Sequence, residues 1–523
     1  MYITGYMKRM RKLNWLTNAS LLIFMIVAAG CPLFGQGTDH NKENKHNQAA
    51  AIPGDFADPS VIYVDGTYYA TGTSSEWAPH YPIFTSADGR NWTSAGYVFK
   101  KSPSWAMSSF WAPELFYRNG VYYVYYTARR ASDSVSCIGV ATSNDPEKGF
   151  IDHGVVVEFG KEAIDAFVIE GNNELYITWK AYGLDRRPIE LLGAQLSNDG
   201  LHLIGEPFTL LRDTAGLGLE GQCIVRHDNF FYLFYSAGAC CGRACSYNVR
   251  VARSASLRGP YVNDPNNPVL DAGDIWKCPG HGTVVRAADD KWLYMYHAYS
   301  KKENVYTGRQ GLLTGFEWSD GWPVFFTDNI AGVGQENIIT DAFRSAQLSD
   351  RWQWDFRYAD PVVKVGDGQL CLSGGMGTDS VGTVVTMRPF SGDYDMSVTV
   401  DNKNSALKGL AVYGDVSEAV GVGVKGDFLE VWQVKEGKRS VVARQRLTNV
   451  DGMELMIKVR KGYLMQFYWR EGADEWQPVD GYRDALDASF LPPWDRSPRP
   501  GLHHKGPQAL PACFSNFMMR YVE

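Results

Sequence analysis

One pattern of apolar and polar positions recurs five times between residues 60 and 300. A short apolar run meets a polar turn, and an aromatic-rich run follows. The apolar runs are SVIYV (60–64), ELFYR (114–118), AFVIE (166–170), CIVRH (223–227) and TVVRA (283–287). The turns and aromatic runs are VDGTYYATGT (64–73), RNGVYYVYYTA (118–128), GNNELYITWKAYG (171–183), RHDNFFYLFYSAG (226–238) and ADDKWLYMYHAY (288–299). Strand, tight turn, strand is a β-hairpin. Repetition at about 50–60 residues fits a four-stranded propeller blade with long loops. The expected fold is therefore all-β, a five-bladed β-propeller over residues 51–332.

Beyond residue 332 the repeat stops and plainer alternation begins, in GQLCLSG (368–374), DMSVTVD (395–401), GLAVYGD (409–415), FLEVWQV (428–434), ELMIKVRKG (454–462), YLMQFYWREG (463–472) and FSNFMMRYV (514–522). Residues 333–523 are expected to form an accessory β-sandwich. Support is its preferred role; binding carbohydrate or shaping the active-site rim is the alternative. The proline-containing stretch 473–511 reads as a long surface loop.

The residues opening the five first strands are Asp58, Glu114, Asp165, Glu220 and His281. Innermost propeller strands start around the central axis, so these five side chains are expected to converge at one end of the channel. Charged residues also flank strands as ordinary turn residues, but five at nearly one offset argues against that.

The termini of the pattern change the picture of where the protein works. Lys8, Arg9, Arg11 and Lys12 precede the apolar run LLIFMIVAA (21–29), and AAGC (28–31) follows. This reads as a signal peptide over 1–31 with a lipobox-like end, Cys31 being the lipidated residue. Cleavage near Gly35-Gln36 is the competing reading. Residues 32–50 read as a flexible tether. The expected location is the periplasm, outer membrane or cell surface of a Gram-negative bacterium, with membrane contact only through that lipid.

Net charge is −7, and the first fifty residues hold an excess of Lys and Arg, so the remainder is more acidic than the whole. No basic nucleic-acid footprint exists. The chain carries 16 Trp, 29 Tyr and 25 Phe, which suits core packing and, secondarily, stacking on sugar rings. Cys240, Cys241 and Cys245 crowd one loop. Zinc lacks the usual ligand spacing there; a loop-bracing disulfide or buried thiols remain, with the pairing open.

Three carboxylates in one pocket have a chemical use. Glycosidic hydrolysis needs an acid for the leaving oxygen and a carboxylate to activate water or attack the anomeric carbon. A third can keep the acid protonated. The ordered motifs ADPSV (57–61), WAPE (111–114), IDA (164–166), EGQ (220–222), GHGTV (280–284), GRQ (308–310) and DGWP (320–323) resemble those of glycoside hydrolase family 43 over about residues 52–330. SDRWQWDFR (349–357) and the strands after it resemble the β-sandwich often appended to that family.

The resemblance implies inversion, with Asp58 as general base, Asp165 orienting the acid and raising its pKa, and Glu220 as general acid. It implies substrate contacts from Trp111, Glu114 and Arg309, and places His281 beside a central calcium or its waters. No organic cofactor is required. Ala166 and Gln222 stand where proline is frequent, which bears on the substrate. The implied substrates are terminal α-L-arabinofuranosides, then β-D-xylosides, of plant-type glycans. An endo-acting arabinanase or a galactofuranosidase is the alternative within the family. A retaining fructan-cleaving propeller lacks support, because Asp58, Asp165 and Glu220 sit in different surroundings here. A non-catalytic surface carbohydrate-binding propeller is the rival of another class.

Overall fold

Tyrosine and phenylalanine fill the second strand of each repeat, and their burial explains the architecture. In Phe230–Ala237 every residue after the first is buried. A strand reads as continuously apolar when both sheet faces are covered. The computed structural model describes residues 49–522 except 172, 288, 335, 375–379, 448–451 and 482–483. The signal peptide, Cys31 and nearly all of the tether lie outside the described residues. The described residues include no α-helix.

Five four-stranded antiparallel sheets follow one another in chain order. Sheet 1 holds Ser60–Val64, Thr67–Thr71, His80–Ser86 and Thr93–Phe99. Sheet 2 holds Ala106–Arg118, Val121–Arg130, Ser136–Ser143 and Ile151–Val157. Sheet 3 holds Ala163–Gly171, Glu174–Ala181, Glu190–Leu196 and Leu203–Arg212. Sheet 4 holds Leu219–His227, Phe230–Ala237, Asn248–Ser254 and Val262–Asn263. Sheet 5 holds Trp276–Arg286, Trp292–Ser300, Arg309–Ser319 and Trp322–Asn329. Each first strand packs against the first strand of the next sheet, and that of sheet 5 returns to that of sheet 1. The N-terminal segment fastens this return: Ile52 N–H donates to Gly311 O (3.0 Å) and Gly311 N–H to Ile52 O (2.9 Å).

Two further sheets follow, one of nine strands and one of six. In Tyr394–Asp401, Met396, Val398 and Val400 are buried at alternate positions, as a one-sided strand requires. They share one core with Leu410, Val412, Val420, Val422 and Leu502 of the six-stranded sheet. Cys371 and Cys513 form a disulfide between adjacent strands.

The expectation of a surface loop over 473–511 is corrected. Arg499–Lys505 is a strand hydrogen-bonded on both sides, between Thr383–Thr386 and Leu407–Asp415. Its prolines hid it: Pro498 precedes the strand, and Pro500 lies near its start. The crowded cysteines are also resolved. Cys240 bonds Cys241, and Cys245 bonds Cys278 in the first strand of sheet 5.

Candidate active site

The first strands share a device that aims side chains into the ring. Pairing with the second strand slips by one residue between Trp111 and Glu114, Ile164 and Phe167, Glu220 and Cys223, and Gly280 and Thr283. Each slip is a β-bulge, which re-aims a side chain. The first bulged residue has positive φ in every case: Ala112 (43°), Asp165 (60°), Gly221 (60°) and His281 (40°). Asp58 (50°) holds the matching place just before sheet 1. Strained backbone of this kind is kept where the surroundings over-determine it.

This geometry corrects the equivalence read from the sequence. The five matching positions are Asp58, Ala112, Asp165, Gly221 and His281. Glu220 stands one residue before its bulge, and Glu114 two residues after the bulged Ala112. Polar character alone could not reveal that offset.

Four of these five positions are tied down by a residue in the second strand of the preceding sheet or, for Thr73, two residues past it. Ala112 N–H donates to Thr73 Oγ1 (2.8 Å), Asp165 N–H to Thr127 Oγ1 (3.2 Å) and His281 N–H to Ser236 Oγ (2.7 Å). Asp58 N–H donates to His297 Nδ1 (3.0 Å). His297 is therefore the neutral tautomer with its proton on Nε2, and burial lowers its pKa to about 4. Sequence reasoning passed over this second ring. Its trace was present as the recurring Thr-Ala, Lys-Ala, Ser-Ala and His-Ala pairs at 127, 180, 236 and 297.

Asp58, Asp165, Glu220, His281 and Arg309 come together. Asp58 accepts from Thr73 Oγ1 (2.7 Å) and from Arg309 Nη1 (3.0 Å). His281 Nδ1 lies 3.5 Å from Asp58 and 4.0 Å from Asp165. Burial would raise the pKa of Asp58, but Arg309 and the two histidines outweigh it and hold the group well below the ordinary carboxylate value. Burial, opposed by His281 and reinforced by Glu220, lifts Asp165 to about 6. Glu220 also pays for burial, yet Lys180 Nζ at 2.6 Å pulls its pKa down. Lys180 thus favours the ionised form of Glu220, the group expected to act as acid.

Glu114 does not join this cluster. Ser60 Oγ donates to its Oε2 (2.7 Å), and Ser60 itself accepts from Leu115 N–H (2.9 Å). Glu114 is 5% exposed, and burial raises its pKa to about 8. The folded pKa exceeds the ordinary 4.5, so folding takes up a proton and stability is lost as pH rises between those values. Gln can accept the same bond from Ser60. Glu114→Gln should match the parent's melting temperature near pH 4 and exceed it increasingly up to pH 8. Thermal unfolding at pH 4, 6 and 8 checks this; a constant difference refutes a neutral Glu114.

The rim is built partly by the C-terminal region. Arg309 Nη2 donates to Asp495 O (3.1 Å), Ser75 Oγ to Asp495 Oδ2 (3.0 Å) and Ser497 N–H to Asp55 Oδ2 (3.0 Å). The Trp494 ring meets Trp111 edge to face at 6.1 Å, and Trp494 is 62% exposed. Its carbonyl faces Gly242, beside the Cys240–Cys241 disulfide. Sequence reasoning missed this segment, because partners 186 to 442 positions away carry no local signal.

The calcium implied beside His281 finds no protein cage. Calcium takes six to eight oxygen ligands, and His281 turns Nδ1 toward Asp58 and Asp165. Among the described residues no three His, Cys, Asp or Glu side chains group as metal ligands. A calcium beside His281 would therefore be held through waters rather than by a protein cage, and no catalytic step depends on it.

An ionised, ion-paired aspartate facing a second aspartate and a glutamate is the acid–base equipment of an enzyme that hydrolyses glycosidic bonds. Residues 49–323 match the family model for glycosyl hydrolases family 43. The chain belongs to that family and is a glycosidase. An extracellular endo-α-(1→5)-L-arabinanase of Bacillus subtilis is 28% identical over 293 residues, 51% of this chain and 87% of that protein. A β-xylosidase of Formosa agariphila is 26% identical over 350 residues, 58% of this chain and 57% of that protein. The solved structure of a xylan β-1,4-xylosidase from Bacillus halodurans shares the fold with TM-score 0.78 at 20% identity, covering 90% of this chain and 99% of that one. A family 43 protein of Bacillus licheniformis gives TM-score 0.76 at 21% identity, over 90% and 98%.

Proposed function

We propose that this glycosidase removes terminal α-L-arabinofuranosyl or β-D-xylosyl residues from plant-type glycans, with inversion. The relatives named for arabinan and for β-xylosides support those two sugars. Asp58 is the base that takes a proton from water, Glu220 the acid that protonates the leaving oxygen, and Asp165 the group that orients them. A base held ionised by Arg309 suits this part. Hydrolysis needs no cofactor.

In this reading the five sheets are the blades of a β-propeller over residues 51–332, and the last two sheets form a β-sandwich over 333–523. Export through residues 1–31, with lipid on Cys31, rests on sequence alone and accords with an extracellular glycan substrate.

Exo action is favoured by one observation: Trp494–Ser497 borders the site, held by Ser75, Asp55 and Arg309 with Trp494 against Trp111. A chain end fits such a pocket, whereas a continuous chain needs an open cleft. The endo reading draws on the arabinanase relative, whose match covers 51% of this chain. Digestion of linear arabinan and of xylo-oligosaccharides decides between them. The expected product from the first minute is the monosaccharide, with little fall in arabinan viscosity. Early oligosaccharides with a steep viscosity loss would overturn exo action.

A further inference from the structure

Four of the five positions at or just past the ends of the second strands carry a hydrogen-bond acceptor for the neighbouring bulge position: Thr73, Thr127, Ser236 and His297. The fifth is Lys180. Its register partner is Ile164, as Thr127 faces Trp111, Ser236 faces Glu220 and His297 faces Gly280. An ammonium has no acceptor. The bulge that Lys180 would have tied down, at Gly221, donates its N–H instead to Asp165 Oδ2 (3.2 Å). The repeat therefore gives up a structural bond at one place only, and Lys180 Nζ is placed 2.6 Å from Glu220 Oε2.

That place is costly for an acid. A cation against a carboxylate favours its charged form, while Glu220 must carry a proton to serve the leaving oxygen. A second carboxylate stands close by. Glu162 is 8% exposed, and its carboxylate is buried against the Gly183 backbone. Gly183 has no side chain where Glu162 Oε1 and the Lys180 Cε would both meet one, so the carboxylate and the lysine stem converge over it. Lys180 feels Glu220, Asp165 and Glu162 together.

We infer that Lys180 is a positioning residue for the acid: it holds Glu220 through an ion pair and passes to Glu162 when a glycosidic oxygen takes its place against Glu220. This rests on the assignment of Glu220 as acid. The handover lets Glu220 bind a proton from solvent. Glu220 then gives that proton to the leaving oxygen as Asp58 takes one from the attacking water. The lysine thereby sets the upper pH limit of activity. The groups facing Glu220 are Lys180 and Asp165 of sheet 3, Glu162 ahead of it, Tyr247 ahead of the third strand of sheet 4, and His281 of sheet 5.

The test is the pH profile of kcat/KM on xylobiose and arabinobiose, and on the matching p-nitrophenyl glycosides, for four variants. In Lys180→Met the basic limb should move up by about one pH unit or more, because the acid keeps its proton longer. Lys180→Arg, which keeps the charge, should retain the parent's limb. Glu162→Gln removes the lysine's second partner, so the limb should move down and the rate at the optimum should fall. A Lys180→Met limb that coincides with the parent's overturns the lysine's role. In Glu220→Gln the residual p-nitrophenyl activity should lack the basic limb. A limb that persists there overturns the assignment of the acid, which is a separate failure.

Discussion

Glu220→Gln and Asp58→Asn should each abolish most glycosidase activity, but with different dependence on the leaving group. General acid–base groups contribute about 10²–10⁴-fold each. Glu220→Gln cannot donate a proton, so unactivated disaccharides should lose at least about a thousandfold in kcat. A p-nitrophenolate leaves without protonation, and its glycoside should lose far less. Asp58→Asn cannot take a proton from water. Attack by that water and departure of the leaving group occur in one step, so both substrate types should fall together, again by about a thousandfold. In the proposed inverting mechanism no covalent glycosyl-enzyme forms, so added azide should not restore Glu220→Gln by way of a retained-configuration product. Measuring kcat on both substrate types for both variants separates the roles. Equal losses on both types in Glu220→Gln would remove it as acid. Full sugar release by both variants would mean that another pair does the chemistry. Binding of arabino- or xylo-oligosaccharide by a parent that releases no sugar at all would favour the surface carbohydrate-binding rival.

The fold was legible because its physics is repetitive. Each aromatic run had to be buried on both faces, and each polar turn had to follow a short apolar strand, so the five sheets showed in the sequence as five copies. The carboxylates were legible as motifs, but their offset was not. Whether Glu114 or Ala112 matches Asp58 depends on where one extra residue is absorbed, and Trp-Ala-Pro-Glu gives no sign of it. The family resemblance implies a substrate contact for Glu114, and the structure gives its side chain a bond from Ser60. Lys180 was hidden for the opposite reason. It sits inside a plain strand, Glu174–Ala181, and only the other four members of its ring mark it as exceptional. The rim formed by Trp494 and Asp495 depends on contacts across hundreds of residues, which periodicity cannot encode. Arg309 was read from its motif as lying near the substrate. The structure gives it two further partners, Asp58 and the backbone of that rim.

Arg309→Met should be the most destabilising single change at the site, and its cost should grow with pH. Arg309 is 3% exposed and pairs with Asp58 at 3.0 Å. Removing one partner of a buried ion pair costs about 3–5 kcal/mol, because the other charge stays buried without compensation. In the parent, Asp58 has a folded pKa below the ordinary 3.8. Its contribution is therefore present above pH 3.8 and lost as pH falls through the folded value. In Arg309→Met the depression goes and burial dominates, so the folded pKa should rise above the unfolded one. Asp58 then costs stability increasingly as pH climbs from about 4 towards neutrality. Melting temperatures of parent and variant should lie closest near pH 4 and diverge towards pH 7. The acid limb of any remaining activity should move up, because the base is protonated at a higher pH. Arg309→Lys keeps a charge but loses the fork that serves Asp58 and the Asp495 carbonyl at once, so it should recover the pH dependence more than the stability. The lost bond to Asp495 O is neutral on the acceptor side and contributes nothing that varies with pH. A melting gap that stays constant from pH 4 to pH 7 would therefore assign the whole value of Arg309 to the rim contact and packing, and would remove it as the group that keeps Asp58 ionised.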